Sequence, residues 1–295
     1  MENEKKIQIF GHQEKAFQRI RDIATVCFAA QRKSLPIKPR TNTLVIGPSG
    51  SGKTYLAKAT AEEKGVAFLP LSISEWLLLG CSNRGGVTTW PAIGQFLLKH
   101  QNEEGVVIFL DELDKLVGES TWEAFLRTEI FTLLDLNLPS GLCDGDGCPL
   151  SDSDCQSIKD VLANRTMILG AGAFQELWDA KEKKCSGFGN VSESSISPSR
   201  DQLCNSLPRE LVSRFRDEVL VLPQLGSRDY EEMLLRSTEA MPSYLQETFL
   251  ELGIKRIEHA VESRQGCRFL EELLTDTLLA ERAALLKTEP TLSFC

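Results

Sequence analysis

Across its 295 residues the sequence has no apolar run approaching the ~20 needed to cross a bilayer. Met1–Lys6 is polar and charged, unlike a secretion signal, so the expectation is a cytoplasmic chain without membrane contact. Positive charge is in deficit, with a net charge of −9, and this argues against a chain that coats nucleic acid over its whole surface. A disulfide framework is not indicated either. The nine cysteines are odd in number and scattered through stretches with helix and strand patterns. Three of them, Cys143, Cys148 and Cys155 in "GLCDGDGCPLSDSDC", cluster, but loosely and without a clear fourth ligand for zinc. A loop with free thiols is the expectation there, with a metal site the alternative. No internal repeat is visible.

Apolar material is ample: 42% of residues are hydrophobic and 25% charged, the ordinary range of a globular chain. Five short β-rich runs stand out: Thr43–Ile46, Ala67–Leu71, Val106–Leu110, Thr166–Gly170 and Glu218–Leu222. Several are apolar at consecutive positions, as strands covered on both faces must be. Helical patterns such as Lys53–Lys64 and Thr121–Leu136 lie between them, which predicts a five-stranded parallel sheet with helices on both sides. Two insertions, 137–160 and 183–207, are rich in turn formers and interrupt the rhythm. Beyond Pro223 the strands stop, and Ser227–Lys287 reads as helix with breaks near Pro242, Gly253 and Gly266. The expectation is an α/β sandwich over residues 1–225 and a small helical lid over residues 226–295.

The eight residues "GPSGSGKT" follow the strand "TLVI" directly and open a helix. That context makes the pattern a phosphate site of the P-loop type. Gly47, Pro48, Ser49, Gly50, Ser51 and Gly52 let the backbone wrap a triphosphate, Lys53 meets its outer oxygens, and Thr54 offers a hydroxyl to magnesium, with Tyr55 next in line. The run "VVIFLDELDK" then places Asp111 at a strand end as a magnesium partner and Glu112 as the group that activates water. A kinase needs no activated water, so the second acid counts against one. Nor does the chain contain the "LSGGQ"-like signature of a transporter ATPase.

These motifs, in this order, resemble the AAA+ ATPases, and among them the ClpX/HslU branch. "IFGHQEKAFQRI" is similar to the segment that lines the adenine pocket in that family. "GPSGSGKT" and "FLDELDK" resemble its Walker A and Walker B, "ILGAGAF" its fourth strand, and "SGFG" a glycine-phenylalanine piece of ClpX. "LPRELVSRF" resembles the stretch carrying the arginine finger, which would be Arg214, with Arg209 and Arg216 as competitors. "GCRFLEELLTDTLL" resembles the lid helix with the sensor 2 arginine, which would be Arg268. The resemblance implies ATP and Mg as cofactors and a homo-oligomer, a hexameric ring or a filament, in which Arg214 reaches the neighbour's nucleotide. Fixed guanidiniums suit charge spread over phosphate oxygens.

Departures from the branch are equally legible. The pore-loop position, "LLLGCSNRGGV" over Leu77–Val87, has Arg84 but no aromatic between its glycines. Trp76 and Trp90 flank it as expected buried anchors. No zinc domain and no protease-docking tripeptide loop are evident, and sensor 1 has only Gln175 as a candidate. Two functions follow: an ATP-hydrolysing machine that remodels a macromolecular partner, a protein in the first place, or a nucleotide-switched scaffold assembling on DNA. The second draws on the basic start, with Lys5, Lys6, Lys15, Arg19, Arg21, Arg32, Lys33, Lys38 and Arg40, for which a solvated helix face is the plainer reading.

Overall fold

The computed structural model describes residues 7–29, 35–81, 89–116, 121–143, 148–179, 198 and 200–288. The chain divides into two compact units, one of Ala16–Gly47 with Lys53–Leu222, the other of Met1–Lys15, Pro48–Gly52 and Pro223–Cys295.

The larger unit is built on a parallel sheet of β1 (Thr43–Ile46), β2 (Ala67–Ser72), β3 (Val106–Asp111), β4 (Thr166–Gly172) and β5 (Val219–Val221), in the order β2-β3-β4-β1-β5. Burial follows that order. The central strands β1, β3 and β4 are buried almost throughout, whereas the outer β2 and β5 are half-buried. Pro70, which cannot donate to a ladder, sits in β2 at the sheet edge where a donor is dispensable. Helices α1 (Gly11–Phe28), α2 (Lys53–Lys64), α3 (Ile73–Cys81), α4 (Thr89–Lys99), α5 (Thr121–Leu134), α6 (Asp152–Arg165), α7 (Arg200–Ser206) and α8 (Arg209–Val212) accompany the sheet. The core joins the two by packing Ile73, Trp76, Ile93, Leu97, Ile130, Leu133 and Phe215 with the strand side chains.

The smaller unit packs α9 (Ser227–Ala240), α10 (Ser243–Glu262) and α11 (Arg268–Thr288). Tyr230, Met233, Leu234, Phe249, Ile257, Phe269 and Leu273 form its core together with Phe10. Tyr230 and Phe269 meet edge to face, with centroids 5.4 Å apart, the arrangement ring quadrupoles favour.

Two expectations are revised. The insertion expected over 137–160 is shorter, because Asp152–Arg165 is helical. Ser151 caps it, its hydroxyl accepting from the Asp154 N–H, and Ile158, Val161 and Leu162 make its buried face. No break occurs at Gly253 either: α10 runs straight through it, because the missing side chain admits Leu234 of α9. The glycine-phenylalanine piece Ser186–Gly189 and Arg84 lie outside the described residues.

Candidate functional site: a nucleotide cradle

The sheet delivers the site. β1 ends at Ile46, where the Gly47 N–H still bonds the Gly172 carbonyl of β4, and the chain then turns through Pro48–Gly52 into α2. The turn begins Pro48-Ser49-Gly50-Ser51, closed by the Ser51 N–H on the Pro48 carbonyl, with Gly50 at φ 76. A side chain at that third turn position would be strained, which is why the motif needs glycine there. Lys53 folds back so that Nζ donates to the Gly47 carbonyl at 2.7 Å.

β3 lies two strands from β1 and ends in Asp111. Asp111 Oδ2 accepts from the Thr54 hydroxyl at 3.1 Å, so the first acid reaches the start of α2. A hydroxyl and a carboxylate at this separation are hard oxygen ligands of the kind magnesium takes, alongside water and phosphate. The donor set fits the metal.

Glu112 follows in the left-handed region, at φ 60 and ψ 36, although it is not glycine. Its N–H bonds Asp111 Oδ1 at 2.9 Å, and the chain passes at once into a 3₁₀ turn, Leu113–Lys115. Such a conformation costs ~1–3 kcal/mol and persists where the surroundings fix it. Here Leu113, fully buried, and Gly170 of β4 fix it: a side chain on Gly170 would meet Leu113 at 2.5 Å. The Glu112 carboxylate turns to β2, where Oε2 accepts from the Ser72 hydroxyl at 2.8 Å. Hydrogen bonds from Ser74 and Ser72, with some help from Lys115, hold its carboxyl below the usual carboxylate range. These bonds favour its ionised form.

Ser72 and Ser74 escape the sequence reading. The only signal is register: Ser72 pairs with Asp111 across β2 and β3, and a hydroxyl there falls beside the acids. Asp114 is a second omission. Its Oδ1 accepts from the Ala173 N–H at 3.3 Å, tying the acidic turn to the end of β4.

The arginines differ in their settings. Arg214, just after α8, donates through Nε to Asp135 at 2.9 Å and through Nη1 to the Glu210 carbonyl at 2.7 Å. Its guanidinium also lies 4.2 Å from the Phe131 ring centre, and its side chain keeps 25% exposure. Arg216 pairs with Glu218, while Arg209 is exposed. Arg268 is exposed at the start of α11, one residue after Cys267, whose N–H bonds the Gly50 carbonyl at 2.7 Å. Gln175, the sensor 1 candidate, donates to Asp179 at 2.9 Å. Tyr55 is exposed on α2.

Outside the cradle, Trp76 and Trp90 are buried, and the Trp76 indole donates to Glu129. Cys143 and Cys155 are free thiols, and among the described residues no group of metal-ligating side chains forms a site. Of the basic start, Arg19 and Arg21 are engaged with Glu218 and Glu63. No helix among the described residues is long and apolar enough to cross a membrane.

Comparison with known proteins agrees with this geometry. Residues 43–135, from β1 to the end of α5, match the ATPase family associated with various cellular activities (AAA). Over this span the chain carries an AAA-type domain. It is 25% identical over 258 residues to the chaperone protein ClpB of Lactococcus lactis subsp. cremoris, covering 82% of this chain and 27% of that protein. The mitochondrial ATP-dependent zinc metalloprotease FTSH 3 of Arabidopsis thaliana is 34% identical over 89 residues, 28% of this chain and 10% of its own. The mitochondrial sorting homolog of Caenorhabditis elegans is 31% identical over 126 residues, 39% of this chain and 34% of its own. The AAA chain thus spans about a quarter or less of the length of the ClpB and FTSH 3 proteins it matches.

Proposed function

We propose that this AAA protein binds ATP with Mg and hydrolyses it, as a homo-oligomer that remodels a macromolecular partner, most simply a protein. One observation carries the reading: the Thr54 hydroxyl and the Asp111 carboxylate meet at 3.1 Å at the start of α2, with Glu112 adjacent. Magnesium held there by Thr54 and Asp111 would neutralise charge on the outer phosphates. The amides of residues 47–54 and Lys53 would bind the triphosphate, and ionised Glu112 would take the proton of the attacking water. Arg268, exposed at the start of α11, would meet the nucleotide of its own chain. Arg214 would serve the neighbour's, exchanging Asp135 for phosphate oxygens. The ClpB name, a chaperone, supports a protein as the partner.

The test uses Glu112→Gln. The amide cannot accept a proton, so ATP should bind with wild-type affinity while turnover falls on the order of 10²–10⁴-fold. Normal turnover in this variant would remove Glu112 as the base. The same trapped variant, isolated with ATP and its bound material analysed, separates the partners: a co-purifying polypeptide supports remodelling of protein, and co-purifying DNA the scaffold alternative.

A further inference from the structure

The phosphate turn must hold its amides inward before any ligand arrives, and something has to hold them. In a trans peptide the carbonyl and the following N–H point in opposite directions, so pinning one aims the other. The Ser51 carbonyl is pinned by Gln13: the side-chain Nε2 donates to it at 3.2 Å. Gln13 is 1% exposed, and its own position is set twice more. Its Oε1 accepts from the Phe10 N–H at 3.3 Å, and Nε2 also lies 3.8 Å from Cys267 Sγ. All these residues belong to the same compact unit.

The consequence falls on Gly52. With the Ser51 carbonyl turned to Gln13, the Gly52 N–H must point the other way, away from Gln13. The fit is close, since a side chain on Gly52, itself at φ 91, would lie 2.2 Å from Gln13 Nε2. The preceding peptide is fixed in the same manner: the Gly50 carbonyl takes the Cys267 N–H, and the Ser51 N–H closes back on Pro48. Gly266, beside Cys267, is anchored by donating its N–H to the Tyr230 hydroxyl at 2.8 Å.

We infer that Gln13 is a positioning residue for phosphate binding, which orients the Ser51–Gly52 peptide so that the Gly52 N–H faces the phosphates. It touches no phosphate itself. The inference rests on the nucleotide reading above and adds a residue that the phosphate motif does not contain.

The experiment measures competition by ATP, pyrophosphate and adenosine against a fluorescent ATP analogue, on the full chain. Gln13→Met removes both side-chain hydrogen bonds. Gln13→Glu keeps the shape and the acceptor for Phe10 but loses the donor, and it carries the test if the methionine variant does not fold. Losing one buried hydrogen bond should weaken ATP and pyrophosphate about five- to tenfold. Adenosine, which has no phosphate to meet the Gly52 N–H, should lose less affinity than pyrophosphate. Unchanged pyrophosphate affinity in a folded variant would overturn the inference, as would an equal loss for adenosine, which would mark a general loosening of the fold. A wild-type chain that binds neither ATP nor pyrophosphate would overturn the nucleotide reading itself, and this inference with it.

Discussion

At the scale of single residues, the chemistry concentrates in two acids with different constraints. Asp111 is directed at Thr54, whereas Glu112 is turned onto Ser72 and Ser74. The two hydroxyls lower the Glu112 pKa, and the sign of the consequence follows. With Glu112 as the proposed base, which must be ionised to act, turnover should fall on the acid side as pH drops through that lowered pKa. Replacing both serines by alanine should move the acid limb of the pH–turnover profile upward, toward the ordinary glutamate range. An acid limb that stays in place would show that another group sets it. Lys53→Ala is the complementary case. In the proposed site it would delete a charge-assisted contact to phosphate worth ~1.5–3 kcal/mol, so nucleotide affinity should fall about 10- to 100-fold in direct titration. Wild-type affinity would place the triphosphate elsewhere.

At the scale of elements, legibility in the sequence depended on whether a signal was local. The five strands and the helix after the phosphate turn are readable because buried parallel strands must be apolar at successive positions and the glycine motif has a fixed neighbourhood. Ser72 was not, because its meaning comes from pairing with Asp111 on another strand. The same holds for Gln13, whose partner is 38 residues away. α6 was hidden by its composition: serine and aspartate at its start suggest a loop, and here they cap a helix. Gly253 misleads in the opposite sense. A glycine in a helical pattern suggests a break, but this one is a contact, since a Cβ would stand 2.3 Å from Leu234, itself 1% exposed. Gly253→Ala sets two effects against each other. Helix propensity gains up to ~1 kcal/mol, while overpacking a buried leucine costs ~1–3 kcal/mol. Packing should win, lowering stability by about 1–2 kcal/mol in denaturant titration followed by helical circular dichroism. A stabilised variant would mean that Leu234 has room to move.

At the scale of the whole molecule, the question is whether one chain suffices. Arg214 is occupied in its own chain, by Asp135, the Glu210 carbonyl and the Phe131 ring, yet it retains a quarter of its side-chain surface. An exposed ion pair of this kind contributes only ~0.2–1 kcal/mol, so a neighbour's phosphate oxygens, offering more charge in a drier place, would compete well for the guanidinium. If the arginine acts across an interface, turnover per chain must rise with protein concentration and level off once assembly is complete. Arg214→Ala should keep ATP binding and lose turnover, about 10³-fold or more where such an arginine is supplied in trans. Its melting temperature should change little, because the pair it loses is weak. The decisive case is a mixture. Lys53→Ala chains bind ATP weakly but still present Arg214, and Arg214→Ala chains hold ATP but present nothing. In a head-to-tail assembly mixed at random in equal amounts, about a quarter of the interfaces bring a competent cradle to an intact arginine, so activity absent from either variant alone should return. Recovery on mixing has no explanation in which each chain supplies its own arginine. Turnover that is independent of concentration, with Arg214→Ala still active, would assign Arg214 to the Asp135 contact alone and leave the chain to hydrolyse ATP by itself.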